Sequence, residues 1–245
     1  MVKGLGDLMK QMQKVQAKME EAETYLVRLL DMEKRVAYVE RVSVNYYTQP
    51  WFTEEIIITG RSAEKVWRNC AVRMGAVRVK RKMVGFARIQ FYTLENLGTQ
   101  PLELPEQQLE TVALWIVPPA SVVDTIKGRR GLNYHGGLEG LKNVLESTLP
   151  LHAMAERQSS RGKVQAAENG EHAIFLYDAY PGGLGYADKG YELLDEIMLH
   201  TFKLISECDC DDGCPSCVRP AHTLMTGWPH PDKEAALSIL DGVLF

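Results

Sequence analysis

Apolar residues recur at two different periods along the chain. Over residues 1–22, Leu5, Leu8, Met12, Val15, Met19 and Ala22 alternate steps of three and four. That is the seam of an amphipathic helix, which is stable only against a partner helix from the same chain or a second copy. The spacing continues through Leu26 and Leu29, which by itself reads residues 1 to about 30 as one helix; the helix is taken to end at about Ala22 because the chain turns alternating immediately afterwards. From about Arg35 the period is two: Val42, Val44 and Tyr46 alternate with polar neighbours, and "EEIIITG" is a β-branched run closed by glycine. In "GAVRVKRKMVGFARIQFYTL", Val77, Val79, Met83, Ala87, Ile89 and Phe91 fall on one face and Arg78, Lys80, Lys82 and Arg88 on the other. Gly85 predicts a bulge or bend midway, and "SAEKVWRNCAVRM" reads as a short helix.

Beyond "QPLELPEQ" the signal becomes helical. "QQLETVALWIV" suits strand or helix, and "GGLEGLKNVLESTLPLHAMAE" is a helix with Leu138, Leu141, Val144, Leu145 and Leu149 on one stripe. Residues 157–170 read as an exposed loop, "HAIFLYDAY" as a buried strand, "PGGLG" as a turn, and Tyr186 to Glu207 as one helix. A closing helix begins at "DKEAALSILDGVLF", with Asp232 as its cap. The expected fold is α+β in three parts: a helix over 1–22, a β-rich basic subdomain over 23–104, and a helical subdomain over 105–245.

Charge changes this picture more than composition does. The 245 residues, 45% hydrophobic and 24% charged, are ordinary for a globular chain. No apolar run reaches a membrane span and the N-terminus lacks the order of a secretory signal, so a cytoplasmic protein is expected. The net charge of -4 conceals a block from Arg61 to Arg88 with nine basic residues and one acid, Glu64. Such a block either binds a polyanion or pairs with the protein's own acidic surface. Tyr46, Tyr47, Trp51 and Phe52 beside it would stack bases or fill a core.

Four of the five cysteines, Cys208, Cys210, Cys214 and Cys217, lie within ten residues as C-x-C-x3-C-x2-C. Four thiolates so spaced can surround one tetrahedral ion, with Gly213 and Pro215 reversing the chain between the pairs. One structural zinc per chain is the expectation; two disulfides or an iron–sulfur cluster would use the same residues. Four thiolates leave no open position for an activated water, so no catalytic step is expected there. The six histidines have no metal spacing with one another, and "PGGLG" before a helix is either a phosphate cradle or a tight connection with Asp178 bonding locally.

The run "IFLYDAYPGGLGYADKGYELLDEIMLHTFKLISECDCDDGCPSCV" resembles the zinc-binding C-terminal module of MrfA-type DEAD/DEAH-box helicases. Two motifs carry it, the YD-x-x-PGG-x-G turn and, one helix later, C-x-C-x-x-GCPSC; "RVAYVERVSVNYYTQPW" and "TLPLHAMAE" extend it over residues 24–245. The resemblance implies a strand near Leu26 to Asp31 in place of the heptad, and where that family often has Cys-Asp, this chain has Ala155-Glu156. The stretch "GLGDLMKQMQKVQAKMEE" resembles the N-terminal helix of the YbaB/EbfC nucleoid-associated proteins, which dimerise and bind DNA. The first resemblance implies an accessory region of an ATP-dependent DNA helicase acting in DNA repair, which guides a nucleic-acid strand, single-stranded DNA included. The chain has neither G-x-x-x-x-G-K-[ST] nor a DEAD or DEAH box, so the motor is expected elsewhere. The rival reading is a non-catalytic structural protein dimerising through residues 5–22.

Overall fold

The structure is a computed structural model that describes residues 23–156, 158–167, 170–220 and 230–245. The helix expected over 1–22, with its dimer seam, lies outside them. Two compact units are formed, Met1–Trp51 with Met83–Glu103, and Phe52–Lys82 with Leu104–Phe245.

In the first unit, strands β1 (Thr24–Asp31) and β2 (Val36–Val42) form an antiparallel hairpin with Val27 opposite Val39 and Leu30 opposite Ala37. A strand thus stands where the heptad spacing would have continued through Leu26 and Leu29, as the family resemblance implies. The end of β5 (Cys70–Gln90) pairs with β6 (Asn96–Pro101). Against β6, Gly85 shows no bulge: it sits in register opposite Pro101, where an added Cβ would come within 2.7 Å of the Gln100 carbonyl. The register shift falls at Arg88/Ile89 instead.

The second unit holds the remainder of β3 (Tyr46–Ile58), β4 (Ala63–Trp67), the first part of β5, β7 (Gln107–Val117), β8 (Ser160–Ala166) and β9 (His172–Asp178). Two sequence expectations fail here. "SAEKVWRNCAVRM" is a hairpin rather than a helix. Trp67, Cys70 and Met74 imitate a helical stripe, but the Arg68-Asn69 turn, with Arg68 at φ 54, sets Trp67 opposite Cys70 across the ladder. Residues 157–170 are not wholly loop, because β8 pairs with β9 along its whole length. Its polar composition is misleading: Ser160 and Val164 are buried and only the opposite face carries Arg161, Lys163 and Gln165. Gln107–Val117 resolves as strand.

The strand order is β3-β5-β7-β9-β8. The two strands at the ends of that order meet again through one side chain: Gln165 of β8 accepts from the Ile56 amide at 2.9 Å and donates to the Ile56 carbonyl at 2.7 Å. The sheet therefore curls into a nearly closed barrel whose seam is a glutamine instead of a backbone ladder. Its interior is lined by Ile56, Val77, Val79, Ala113, Trp115, Phe175 and Tyr177, with Trp115 and Phe175 stacked at 5.6 Å. One end is closed by polar groups on the same face. Arg81 lies 3.8 Å from Glu54 and 3.5 Å above the Phe52 ring, and burial raises the Tyr177 phenol. Replacing Gln165 with leucine leaves the Ile56 amide and carbonyl without these partners; we expect a loss of about 1–3 kcal/mol in urea unfolding, with accelerated amide exchange at Ile56. An unchanged exchange rate there would show the seam to be held by other contacts.

The other face of the sheet is covered by helices. These are α1 (Ala120–Gly128), which the sequence pattern did not suggest, α2 (Tyr134–Ala153), α3 (Tyr186–Glu192), α4 (Leu194–Ser206) and α5 (Lys233–Leu244). The stretch expected as one helix from Tyr186 is two, broken at Leu193, whose ψ of 22 departs from helical values. Asn133 caps α2 by accepting from Gly136, and Asp232 caps α5 by accepting from Ala235, as the sequence predicts for the latter. Leu138, Leu141, Leu145 and Leu149 of α2 pack on Leu114, Ile116, Ile174 and Leu176 of the sheet in one core.

Candidate metal centre and basic strand

The cysteine loop follows α4 and its local geometry is set by three residues. Gly213 has φ +96, open to glycine and costly for others, and a Cβ there would meet Val218 at 2.5 Å. The Cys217 and Arg219 amides both donate to the Cys214 carbonyl, at 3.0 and 3.2 Å, closing the C-P-S-C turn. Asn143 of α2 donates to the Val218 carbonyl at 2.8 Å, tying the turn to the helix layer.

This folding brings four sulfurs together. Cys208 lies 3.5 Å from Cys210 and 3.5 Å from Cys214, Cys210 lies 3.5 Å from Cys217, and Cys214 lies 3.7 Å from Cys217. A tetrahedron of zinc–thiolate bonds of about 2.3 Å has edges of about 3.8 Å, so the cage is the size of a single ion. The same separations are far above the roughly 2.05 Å of a disulfide, and that alternative is set aside. The Cys214 amide donates to the Cys217 sulfur at 3.2 Å. Donation from the Ser216 amide draws the Cys214 thiol down to about 7, while burial pushes Cys217 up to about 12. A divalent cation binding here takes the sulfurs as thiolates and releases their protons. Asp209, Asp211 and Asp212 face solvent, Asp212 pairing with Arg219 at 3.0 Å. Among the described residues no other group of three or more cysteine, histidine or carboxylate ligands converges in this way. Cys70 stands apart on β5, with burial pushing its thiol up to about 12.

The PGGLG turn belongs to a buried carboxylate rather than to a phosphate. Asp178, at the end of β9, accepts from the amides of Leu184, Gly185 and Tyr186 through Oδ2 and from Ala187 through Oδ1, at 2.5, 2.9, 3.2 and 2.8 Å. Gly182, Gly183 and Gly185 all have positive φ, which allows the chain to wrap around it. The amides that a phosphate would need are already in use.

Within the basic block the structure separates paired from unpaired cations. Arg73 bonds Glu64 at 2.8 Å, Arg78 bonds Glu110 at 2.5 Å, and Arg81 is held by Glu54 and Phe52. Lys65 donates to the Tyr191 carbonyl and Arg68 to the Leu244 carbonyl. Lys80, Lys82 and Arg88 make no ion pair among the described residues, and Lys82 and Arg88 are exposed. Of the aromatic cluster, Tyr47 packs on Phe91 at 5.7 Å and Phe52 is covered by Arg81. Two histidine pairs escaped the spacing argument because they come from different elements: His152 with His200, nitrogens 3.1 Å apart, and His135 against His172. No helix among the described residues is long and apolar enough to cross a membrane.

The chain is similar to known proteins. Residues 141–218 match the family described as the MrfA Zn-binding domain. Over 196 residues the chain is 34% identical to the uncharacterized ATP-dependent helicase YprA of Bacillus subtilis, covering 79% of this chain and 26% of that protein. It is 26% identical over 216 residues to the ATP-dependent helicase HRQ1 of Saccharomyces cerevisiae, covering 79% of this chain and 19% of that one. A crystal structure of the DUF1998 helicase MrfA bound to DNA matches with a TM-score of 0.60 and 32% identity, over 89% of this chain and 28% of that chain. The chain thus spans about a fifth to a quarter of the length of the two curated relatives.

Proposed function

Because the chain carries an MrfA-type zinc-binding domain of helicases, we propose that it works as the zinc-stapled accessory region of an ATP-dependent DNA helicase. Cys208, Cys210, Cys214 and Cys217 hold one zinc per chain, and the cage of sulfur edges near 3.5 Å is the observation that carries this reading. The zinc, when bound, orders the loop after α4 and takes no chemical step, since four thiolates complete its coordination. ATP hydrolysis and strand separation are supplied by a motor, and the cellular setting is DNA repair in the cytoplasm.

The contribution to nucleic-acid handling is electrostatic. Within the basic block, Lys80, Lys82 and Arg88 have no acidic partner among the described residues, and all three occupy even positions of one strand, β5. Arg78 shares that parity but is engaged by Glu110, so it contributes least. The relative solved with DNA supports a DNA strand as ligand. We expect a triple Lys80→Glu, Lys82→Glu, Arg88→Glu variant to bind fluorescently labelled single-stranded DNA at least tenfold more weakly in anisotropy titrations. The slope of log K against log salt should fall by about 2, at roughly 0.7 for each phosphate that the variant no longer neutralises. Wild-type affinity and slope in that variant would remove β5 from the DNA path. The rival reading, a structural protein dimerising through residues 5–22, is not favoured by the helicase relatives.

A further inference from the structure

Lys233 is the first residue of α5 and only 8% exposed. Its ammonium donates to the Cys208 carbonyl at 2.6 Å and to the Cys210 carbonyl at 2.5 Å. Both acceptors are neutral, and no carboxylate forms an ion pair with Lys233 among the described residues. A buried ammonium without an opposing charge is costly, and neutral acceptors satisfy its hydrogen bonds without offsetting that cost. A tetrathiolate centre around a divalent ion carries a net charge of about -2, and the two carbonyls belong to two of the ligand residues themselves.

We propose that Lys233 is the positioning and charge-compensating residue of the metal centre, a role that rests on reading the four cysteines as a zinc cage. Its two bonds fix the backbone on either side of Asp209, and so the directions from which Cys208 and Cys210 reach the ion. The same turn of chain is anchored in the helix layer. Asp232 accepts from the Asn133 amide at 2.8 Å and the Asp232 amide donates to the Gly136 carbonyl at 3.0 Å, while Arg219 of the cysteine loop donates to the Pro231 carbonyl at 3.2 Å. The ammonium is therefore held at the cage by the starts of two helices, and cannot follow the loop away from it.

The test is the rate at which zinc passes from purified protein to excess chelator. Lys233→Met should release zinc about 10–100-fold faster, the range found for partners that orient metal ligands. Lys233→Gln, which keeps donors for the carbonyls but loses the charge, should also release it faster, and it carries the measurement if the methionine variant does not fold. Ile239→Ala, which destabilises α5 but leaves the two Lys233 bonds and its charge in place, is the control and should change the rate less than twofold. Release from Lys233→Gln at the wild-type rate, or equal acceleration by Ile239→Ala, would overturn the charge-compensating role. Zinc content of the wild type is measured first, and a zinc-free wild type sinks the cage reading itself.

Discussion

Replacing Cys217 with serine should empty the metal centre and unfold the helix layer of the second unit. Cys217 and Val218 are buried in the same core as Leu141 and Leu145, and Cys208, Cys210 and Cys214 pack against that core. The loop that carries them has short turns and no helix or strand of its own, so the Asn143 and Lys233 bonds need the ion beside them to hold it in place. Structural zinc contributes about 10–16 kcal/mol of apparent binding free energy in small zinc peptides, against a typical domain stability of about 5–15 kcal/mol. Losing even half of it is enough to unfold this part of the chain. The expected result is background zinc by elemental analysis, together with rapid proteolysis after Ser206, and chelation of the wild type should reproduce both. Cys70→Ser should retain full zinc, since Cys70 lies on β5 and its thiol is kept neutral by burial. A Cys217→Ser protein with wild-type zinc and proteolytic resistance would refute the assignment of the ligands.

The second large effect is expected at Asp178, which is completely buried and anchors four amides. Alanine there removes every acceptor at once, leaving the buried Ala187 amide and the half-buried amides of the turn without their partner. Charge-assisted bonds contribute about 1.5–3 kcal/mol each, and orphaned buried donors cost a comparable amount. We expect Asp178→Ala to lose about 4 kcal/mol in denaturant unfolding and to melt about 8–16 °C lower. Asparagine retains one acceptor oxygen and should lose about half as much. A change below about 1 kcal/mol in the alanine variant would mean that the turn re-forms its bonds with other groups. The glycines would fare differently. Gly183 has φ +79 and sits 3.1 Å, at the position of a Cβ, from Val112, so any side chain there meets both backbone strain and the neighbouring strand.

What the sequence revealed follows from how local each signal is. The cysteine spacing lies within ten residues, so geometry and sequence agree with nothing else needed. Asp232 as a cap and the α2 stripe are equally local. The misreadings depend on distant partners. β8 looks like a loop because only β9 on one side and the helix layer on one face make a strand of it, with Lys142 of α2 lying across Gly162. The basic block looks uniform, yet Glu110 claims Arg78 and Glu54 claims Arg81 from other strands, and spacing alone cannot show those pairings. Lys233 has no signal in the sequence, because its importance comes only from the two carbonyls it reaches 23 and 25 residues upstream.

The glutamine seam also has a bearing on when the protein can fold. Gln165 and Ile56 are separated by 109 positions. Contacts of such long sequence separation are made late, because the loop entropy must be met before the bond is gained. On the ribosome, β3 therefore emerges well before its seam partner, and its outer edge stays without the Gln165 side chain until β8 has been made and placed beside β9. That interval is when the chain is most exposed to pairing with another copy, and slowing translation between residues 58 and 165 should raise aggregation without altering the stability of the finished protein.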